Sequence, residues 1–259
     1  MSDFIKTERI GAVLKLTLNR PEKYNSFVRE MALALQQQLQ QAEDDTEIRC
    51  VYITGSGRAF CAGQDLQEAI DPEGPELTKI VSEHYNPIIR QLRELEKPVV
   101  AAVNGVAAGA GANIALAADV VVATRSSSFI QAFSKIGLIP DSGGTYTLPR
   151  LIGYQKASAL MMLGDNISAE EAERMGMIYK VFDDESFAEE SMKLAQKLST
   201  MPTKALAYTK QLLNKSALNT LDKQLTEEDH FQSMAGKSYD YEEGVKAFLA
   251  KRKPEFKGK

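Results

Sequence analysis

The chain has 259 residues, of which 44% are hydrophobic and 25% are charged, and its formal net charge at pH 7 is −4. This composition is typical of a folded globular protein, and the acidic balance argues against a general nucleic-acid-binding or anionic-membrane surface. No apolar run approaches the ~20 residues of a membrane span.

The chain opens with a polar segment, Met1–Thr7, that lacks the apolar core of a signal peptide. The first half then alternates short apolar strands with helices, and Ser26 is a candidate N-cap. The predicted strands are Phe4–Glu8, Ala12–Leu18, Val51–Thr54, Pro98–Val103 and Asp119–Ala123, and the predicted helices are Ser26–Asp44, Glu76–Leu95 with a bend near Pro87, and Gly109–Ala117. This alternation indicates a layered α/β domain.

After Ser142 the sequence becomes largely helical, and Ser168–Glu171 forms a capping-box pattern. The predicted helices are Leu148–Leu163, Ser168–Met175, Glu185–Leu198, Lys204–Asn214 and Leu221–Ala235. One strand, Tyr179–Phe182, interrupts them, and a basic tail, Lys246–Lys259, ends the chain.

The cysteines and histidines predict neither a disulfide nor a metal site. Cys50 and Cys61 form no CxxC motif and suit a reducing compartment, so the expected location is the cytoplasm. His84 and His230 lie far apart without a partner at ligand spacing, so we expect no metal. Cys61 is interpreted as a buried filler residue.

The stretch Val99–Gly144 carries the strongest chemical signal, because it is poor in charge and dense in glycine and alanine. A strand runs into a glycine-rich turn and a small-residue helix, which leaves backbone N–H groups unpaired at the turn. A second turn holds Asp141. Backbone donors for an oxyanion and one carboxylate are the parts that enolate chemistry requires.

These residues also have structural interpretations. Asp and Ser before Gly-Gly are common turn residues, so Asp141 is alternatively a turn aspartate, and the Gly/Ala run alternatively serves helix packing. Asp119 is interpreted as a structural residue at the entrance of a strand, and Asp65 as a helix N-cap.

Several motifs occur in a fixed order along nearly the whole chain. They are Asn19–Pro21 with Asn25, Gly57–Leu66, Lys97–Pro98 with Asn104–Gly111, Ala118–Asp119, Gly137–Gly144, Leu148–Arg150 and the tail Ala247–Pro254. Together they resemble the crotonase superfamily, the enoyl-CoA hydratase/isomerase proteins. The resemblance implies a fold of the α/β class, with a crotonase-like ββα spiral core over residues 1–195. It also implies a C-terminal helical subdomain over residues 196–259 that forms trimers, often paired into hexamers.

The resemblance further implies an acyl-CoA substrate whose thioester oxygen is held by two backbone N–H groups. Carried onto this chain, the oxyanion hole consists of Ala62 and Ala110, and the catalytic acid–base residue is Asp141. The implied substrate-binding residues are Lys23, Ala62, Gly63, Gln64, Asp65, Leu66, Ala110 and Phe133. No cofactor is expected, because coenzyme A is part of the substrate, and no nucleic-acid or membrane partner is expected.

The missing carboxylates favour isomerisation over hydration. Hydratases of the family use two glutamates, and the matching positions here are Asn113 and Phe133. One carboxylate suffices to move a proton between two carbons. The residues around Asp141 are most similar to isomerases that convert ring-epoxidised phenylacetyl-CoA to oxepin-CoA and shift 3-enoyl to 2-enoyl double bonds, and Phe133 would suit a ring-bearing acyl group.

Four alternatives remain open at the level of sequence. They are an enoyl-CoA hydratase, a dehalogenase with Asp141 as nucleophile and His84 as base, a catalytically silent partner subunit of the crotonase fold, and an RNA-binding relative. For the isomerase itself, a hydratase of the same fold is a candidate partner. The acidic composition argues against the last. The basic residues Lys251–Lys253 either form a solvated tail or reach the phosphates of coenzyme A.

Overall fold

The computed structural model describes residues 4–259, and two β-sheets organise the part that contains the predicted strands. The larger sheet contains, in spatial order, β1 (Ile5–Ile10), β2 (Val13–Leu18), β3 (Cys50–Gly55), β5 (Val99–Val103), β7 (Val120–Thr124) and β10 (Lys180–Phe182). The smaller sheet contains β4 (Ala59–Cys61), β6 (Val106–Ala108), β8 (Ser128–Ile130) and β9 (Asn166–Ser168). Pairing is antiparallel in β1–β2 and β8–β9 and parallel elsewhere in the two sheets.

The sheets are linked by a repeating connection. Each of the strands β3, β5 and β7 leads directly into a short strand of the smaller sheet, namely β4, β6 or β8, before a helical segment returns the chain. This repetition is the predicted ββα spiral, which the structure confirms. Because successive turns stack in parallel, the loops that follow β4 and β6 lie side by side.

The helices surround this spiral and dominate the C-terminal part. They are α1 (Arg29–Asp44), α2 (Leu66–Ala69), α3 (Leu77–Lys79), α4 (Asn86–Glu94), α5 (Ala110–Leu116), α6 (Gly144–Ile152), α7 (Tyr154–Leu163), α8 (Ala169–Arg174), α9 (Phe187–Ser199), α10 (Thr203–Ser216), α11 (Leu221–Ala235) and α12 (Tyr239–Leu249). Short 3₁₀ segments cover Pro21–Lys23 and Ala132–Ile136, and a π-helical segment, Ile80–Tyr85, joins α3 to α4.

Several boundaries differ from the sequence prediction for local reasons. The predicted N-cap at Ser26 is wrong, because its hydroxyl donates to the Lys23 carbonyl and α1 begins at Arg29 without a side-chain cap. The predicted helix 148–163 is broken at Gly153, where φ is +79°. The predicted cap at Ser168 is confirmed, since its hydroxyl accepts the Glu171 N–H at 3.2 Å.

The larger sheet is covered on both faces. β5 is buried along its full length, as expected for a central parallel strand, and belongs to both apolar clusters through alternate residues. One cluster fills the space between the sheets and helices α1, α4 and α5, and the other packs α9 against the outer face of the sheet. The division of the chain at residue 195 stays a prediction. No helix found between residues 4 and 259 combines the length and the apolar character needed to cross a bilayer.

Candidate active site

The loop after β4 is shaped by parallel pairing with the segment that precedes α1. The Phe27 N–H donates to the Gly63 carbonyl at 2.7 Å, and the Asp65 N–H donates to the Phe27 carbonyl at 2.9 Å. In such a parallel bridge the residue between the two bonded ones points its own N–H away from the partner strand. That residue is Gln64, whose N–H has no acceptor within residues 4–259.

The structure corrects the predicted first oxyanion donor. The Ala62 N–H is already engaged, because it donates to the Tyr24 carbonyl at 2.9 Å. Ala62 therefore holds the loop in place, and the unpaired donor lies two residues further on, at Gln64. The family resemblance implied that Gln64 binds substrate, but no sequence pattern indicates that its backbone N–H is unpaired, because that depends on the distant Phe27.

The second predicted donor lies at the start of α5. Ala110 is the first residue of that helix and follows Gly109, whose φ of +53° turns the chain out of β6. The Gly109 N–H donates to the Ile130 carbonyl, whereas the Ala110 N–H, like other N–H groups of a first helical turn, has no acceptor in the described part of the chain. Its function as an oxyanion donor stays a prediction.

The loop after β4, which carries Gln64, and the turn before α5, which carries Ala110, are in direct contact, and we call them the two donor loops. A Cβ atom built on Gly63 would lie 3.5 Å from the Ala110 nitrogen and 3.0 Å from the Ala108 carbonyl oxygen. One built on Gly111 would lie 2.4 Å from the Cys61 carbonyl oxygen. Side chains at either glycine would force the loops apart, so the glycines allow the unpaired N–H groups of the two loops to lie on adjoining segments.

Asp141 lies in the turn between the 3₁₀ segment Ala132–Ile136 and α6, where Ser142 and Gly143 have φ values of +51° and +71°. Burial raises the pKa of the Asp141 carboxyl, and the Ser142 hydroxyl, which donates to Oδ1 at 2.8 Å, opposes that rise. The Asn113 side-chain amide donates to the Asp141 carbonyl at 2.9 Å. This bond holds the Asp141 turn against α5 at Asn113, which lies about one helical turn beyond Ala110.

Two aromatic side chains complete the arrangement. The Phe133 ring is buried, and its atoms lie 3.8 and 3.9 Å from a Cβ built on Gly109, beside the start of α5. Tyr85, on the π-helical segment, donates its hydroxyl to Gln64 Oε1 at 2.7 Å. Burial raises the pKa of Tyr85, and its acidic neighbours, including Asp141, act in the same direction. No sequence motif marked Tyr85, which the structure places in contact with Gln64 and near enough to Asp141 for the two side chains to interact electrostatically.

Other predicted substrate contacts have side chains engaged elsewhere or exposed. Asp65 accepts the Gln67 N–H at 3.0 Å through Oδ1 and pairs with Arg20 at 2.9 Å through Oδ2. This confirms the N-cap interpretation, and each carboxylate oxygen has a partner within the chain, so substrate binding by Asp65 stays a prediction. Lys23 is exposed and donates to the Gln67 side chain at 3.1 Å, and Leu66 is 51% exposed.

Three residues with alternative interpretations are resolved by their contacts. Asp119 accepts the Val99 N–H at 2.8 Å and the Lys210 ammonium at 2.9 Å, which confirms a structural role. Burial raises the pKa of the Cys61 thiol to about 12, as expected of an inert filler.

His84 is fully buried, and its Nε2 lies 3.0 Å from an Arg29 guanidinium nitrogen. Because a guanidinium only donates, Nε2 is the acceptor, and the lone pair that a dehalogenase base would need is engaged.

The basic tail folds back onto its own chain. Arg252 pairs with Glu243 at 2.6 Å, and the N–H groups of Lys257 and Gly258 donate to the Asp240 carboxylate at 2.6 and 2.8 Å. Lys251 and Lys253 remain exposed. Among residues 4–259, no group of three or more His, Cys, Asp or Glu side chains is arranged to hold a metal ion.

Comparison with known proteins adds an independent line of evidence. A family model described as enoyl-CoA hydratase/isomerase matches residues 8–259. The chain is 52% identical to 1,2-epoxyphenylacetyl-CoA isomerase from Escherichia coli (strain K12), covering 100% of both chains. It is 36% identical to 2,3-dehydroadipyl-CoA hydratase from the same organism, again covering 100% of both. Among solved structures, an enoyl-CoA hydratase from Polaromonas sp. JS666 superposes with a TM-score of 0.90 at 38% identity, covering 97% of this chain and 99% of that one.

Proposed function

The chain belongs to the enoyl-CoA hydratase/isomerase family, the crotonase superfamily, and on that basis we propose that it is an acyl-CoA isomerase with Asp141 as its single acid–base group. One observation carries the proposal. Asp141 is a partly buried carboxyl with a raised pKa, tied to the helix that begins at Ala110, while an amide and a phenyl ring occupy the positions of the two hydratase glutamates.

The proposed reaction moves one proton. The acyl thioester oxygen accepts hydrogen bonds from the Gln64 and Ala110 N–H groups, and the Asp141 carboxylate takes a proton from the carbon next to the thioester. The negative charge moves onto the thioester oxygen, where each preorganised donor contributes about 3 to 4 kcal/mol. Asp141 then returns the same proton to another carbon, so atoms and charge balance without a water molecule or a dissociable cofactor.

The raised pKa of Asp141 suits this task. A proton acceptor is more effective as its pKa approaches the working pH, and burial moves the Asp141 carboxyl in that direction. The Ser142 hydroxyl limits the rise and keeps the group ionised over a wider range. Tyr85 and its bond to Gln64 support the loop that carries the first donor.

The proposed substrate class is an aromatic acyl-CoA. The Escherichia coli isomerase is named for 1,2-epoxyphenylacetyl-CoA. The 52% sequence identity, which extends over the full length of both chains, supports the same ring-epoxidised substrate here, with oxepin-CoA as its product. The buried Phe133 ring beside Gly109 offers an aromatic wall next to the acyl chain. A shift of 3-enoyl-CoA to 2-enoyl-CoA uses the same proton transfer and is proposed as a second reaction.

Hydration is the weaker candidate. Adding water requires a group that activates water and a group that manages the proton on carbon. The Asn113 side chain is an amide with a hydrogen bond at each end, to Asp141 and to Gln131, and Phe133 has no titratable atom. The similarity to hydratases therefore supports membership of the family and does not support hydration as the reaction of this chain.

The decisive experiment is product analysis after incubation with ring-epoxidised phenylacetyl-CoA, 3-enoyl-CoA and 2-enoyl-CoA, for the wild type and for Asp141→Asn. We expect isomerised products from the first two substrates and none from the variant. A 3-hydroxyacyl product from 2-enoyl-CoA at a comparable rate would support a hydratase instead. No turnover of any of the three would support a catalytically silent subunit.

The proposed assembly is a homotrimer or a dimer of trimers. Support comes from exposed apolar side chains on α10, on α11 and in the loop between them, where Leu213, Leu218 and Leu221 are 64%, 83% and 73% exposed. Patches of this kind on one side of a domain mark contacts with other chains. The proposed location is the cytoplasm, supported by Cys50 and Cys61, which are both free and buried.

A further inference from the structure

The side chain of Asn113 joins two elements of the site. It lies on α5, is 1% exposed, and donates through Nδ2 to the backbone carbonyl of Asp141 at 2.9 Å. Its Oδ1 accepts a hydrogen bond from Gln131 Nε2 at 2.8 Å. Gly144 permits the approach, because a Cβ atom built there would lie 2.4 Å from Nδ2. The turn that carries Asp141 is therefore packed directly on the Asn113 amide.

The polarity of this chain of hydrogen bonds is fixed by its end point. A backbone carbonyl only accepts, so Asn113 must present its NH₂ group to Asp141. Its oxygen then faces Gln131, which must in turn present its own NH₂ group. An ionised carboxylate at position 113 has no proton to donate, and it would place a negative charge 2.9 Å from the Asp141 carbonyl oxygen.

We propose that Asn113 is a positioning residue for the isomerase reaction, holding the Asp141 turn against α5 in the geometry that proton transfer requires, and that Gln131 sets the orientation of its amide. This inference rests on the proposed function. At the position where hydratases of the family have a catalytic glutamate, this chain has the Asn113 amide, which orients the acid–base residue Asp141. Catalysis then depends on a hydrogen bond to main chain that no substrate atom touches.

The magnitude follows from the sensitivity of proton transfer to distance. A misplacement of about 1 Å in a reacting group costs up to about 100-fold in rate. In Asn113→Asp the side chain keeps its size and its acceptor for Gln131 but loses the donor toward Asp141. A second negative charge near the Asp141 carboxylate also raises its pKa. Tyr85 is the titratable side chain that faces Asp141 from the π-helical segment, and it is unchanged in the variant.

The test compares kcat, KM and the pH dependence of kcat/KM for the wild type, Asn113→Asp and Gln131→Glu, with 3-enoyl-CoA as substrate. For Asn113→Asp we expect kcat to fall about 10- to 100-fold, with KM nearly unchanged, and the acidic limb of the profile to move to higher pH. Gln131→Glu removes the donor that orients Asn113, so it should shift both quantities in the same direction by a smaller amount. It also keeps the test informative if Asn113→Asp fails to fold.

The matched control is Tyr52→Phe. It removes a buried hydrogen bond of 2.9 Å to Ser191 in the other apolar cluster, away from the site. We expect a lower Tm with kcat and pH profile unchanged. If folded Asn113→Asp behaves like this control, or if it gains water addition to 2-enoyl-CoA, the inference is wrong. Asp141→Asn distinguishes a failure of the proposed function from a failure of the positioning role. Full activity in Asp141→Asn refutes the proposed function itself. An inactive Asp141→Asn together with an unaffected Asn113→Asp refutes only the positioning role.

Discussion

Replacing Asp141 by Asn keeps the shape of the side chain and removes its ability to carry a proton. General acid–base catalysis by one positioned group contributes about 10²- to 10⁴-fold, so isomerisation of 3-enoyl-CoA should fall by that factor. The Ser142 hydroxyl can still donate to the amide oxygen that replaces Oδ1. Binding of the CoA ester should therefore be retained, with a Kd close to that of the wild type.

The same substitution should leave the protein as stable as before or make it more stable. Burial raises the pKa of Asp141 in the folded state above its unfolded value. When the folded-state pKa of a carboxyl is raised, its contribution to stability is fully present below the unfolded pKa and is lost as the pH rises through the folded pKa. At neutral pH the ionised Asp141 carboxylate therefore lowers the stability of the folded protein. Each unit of such a shift corresponds to about 1.4 kcal/mol. The neutral amide removes that cost.

Asp119→Asn provides a matched control with the opposite outcome. It makes the same chemical change at a carboxylate whose partner, Lys210, is buried. Breaking a buried ion pair costs about 3 to 5 kcal/mol, and the lower figure applies because the Asp119 side chain is 19% exposed. We expect a clearly lower Tm and near wild-type kcat for the folded fraction. The assays are thermal unfolding at pH 7.5 and initial rates. Less than a tenfold loss of rate in Asp141→Asn, or a Tm several degrees lower, would contradict the role given to Asp141.

Three further outcomes test the surroundings of the site. Tyr85→Phe removes the bond to Gln64 and should lower kcat/KM about fivefold, corresponding to the roughly 1 kcal/mol of one hydrogen bond; an unchanged value would separate Tyr85 from the first donor loop. Ser142→Ala removes a donor to the Asp141 carboxylate, so its pKa should rise further and the acidic limb of kcat/KM should move to higher pH, whereas a shift to lower pH would be opposite in sign to this argument. Cys61, with a pKa of about 12, should not react with a thiol reagent in the folded protein at pH 8, and rapid native labelling would show that the loop opens.

The larger sheet was predictable because its strands carry a strong local signal. Val99–Val103 is an unbroken run of apolar residues, and Ala12–Leu18 alternates apolar with polar residues. Each pattern predicts a strand from local sequence alone. The four strands of the smaller sheet, β4, β6, β8 and β9, were not predicted, because three residues are too few to show a period of two. Their pairing depends on the stacking of one spiral turn on the next. The helix α12, Tyr239–Leu249, was also missed. Two of its three buried residues, Asp240 and Glu243, are acidic and bind the tail through hydrogen bonds, so burial on this helix does not follow an apolar pattern.

The error at Ala62 has the same physical origin. Sequence motifs identified the loop and its glycines, and these are local properties. Which N–H group remains unpaired is decided by Phe27 and Tyr24, which lie more than thirty residues earlier and reach the loop only in the folded chain. A motif thus locates an oxyanion loop to within a few residues, and only the hydrogen bonds of the folded chain identify the donor.

The division between main-chain donors and side-chain acid–base groups explains how related sites support different reactions. The proposed donors of Gln64 and Ala110 are backbone atoms, so substitutions at those positions would leave the proposed oxyanion contact in place provided that the loops keep their shape. The titratable side chains face no such constraint. Replacing a glutamate by Asn113 removes one acid–base group, and the new amide gains a partner in the turn that holds another, Asp141. In the proposed function, the absence of water addition and the fixed position of Asp141 both depend on the amide at position 113, because one side chain cannot both activate water and donate its protons to a backbone carbonyl.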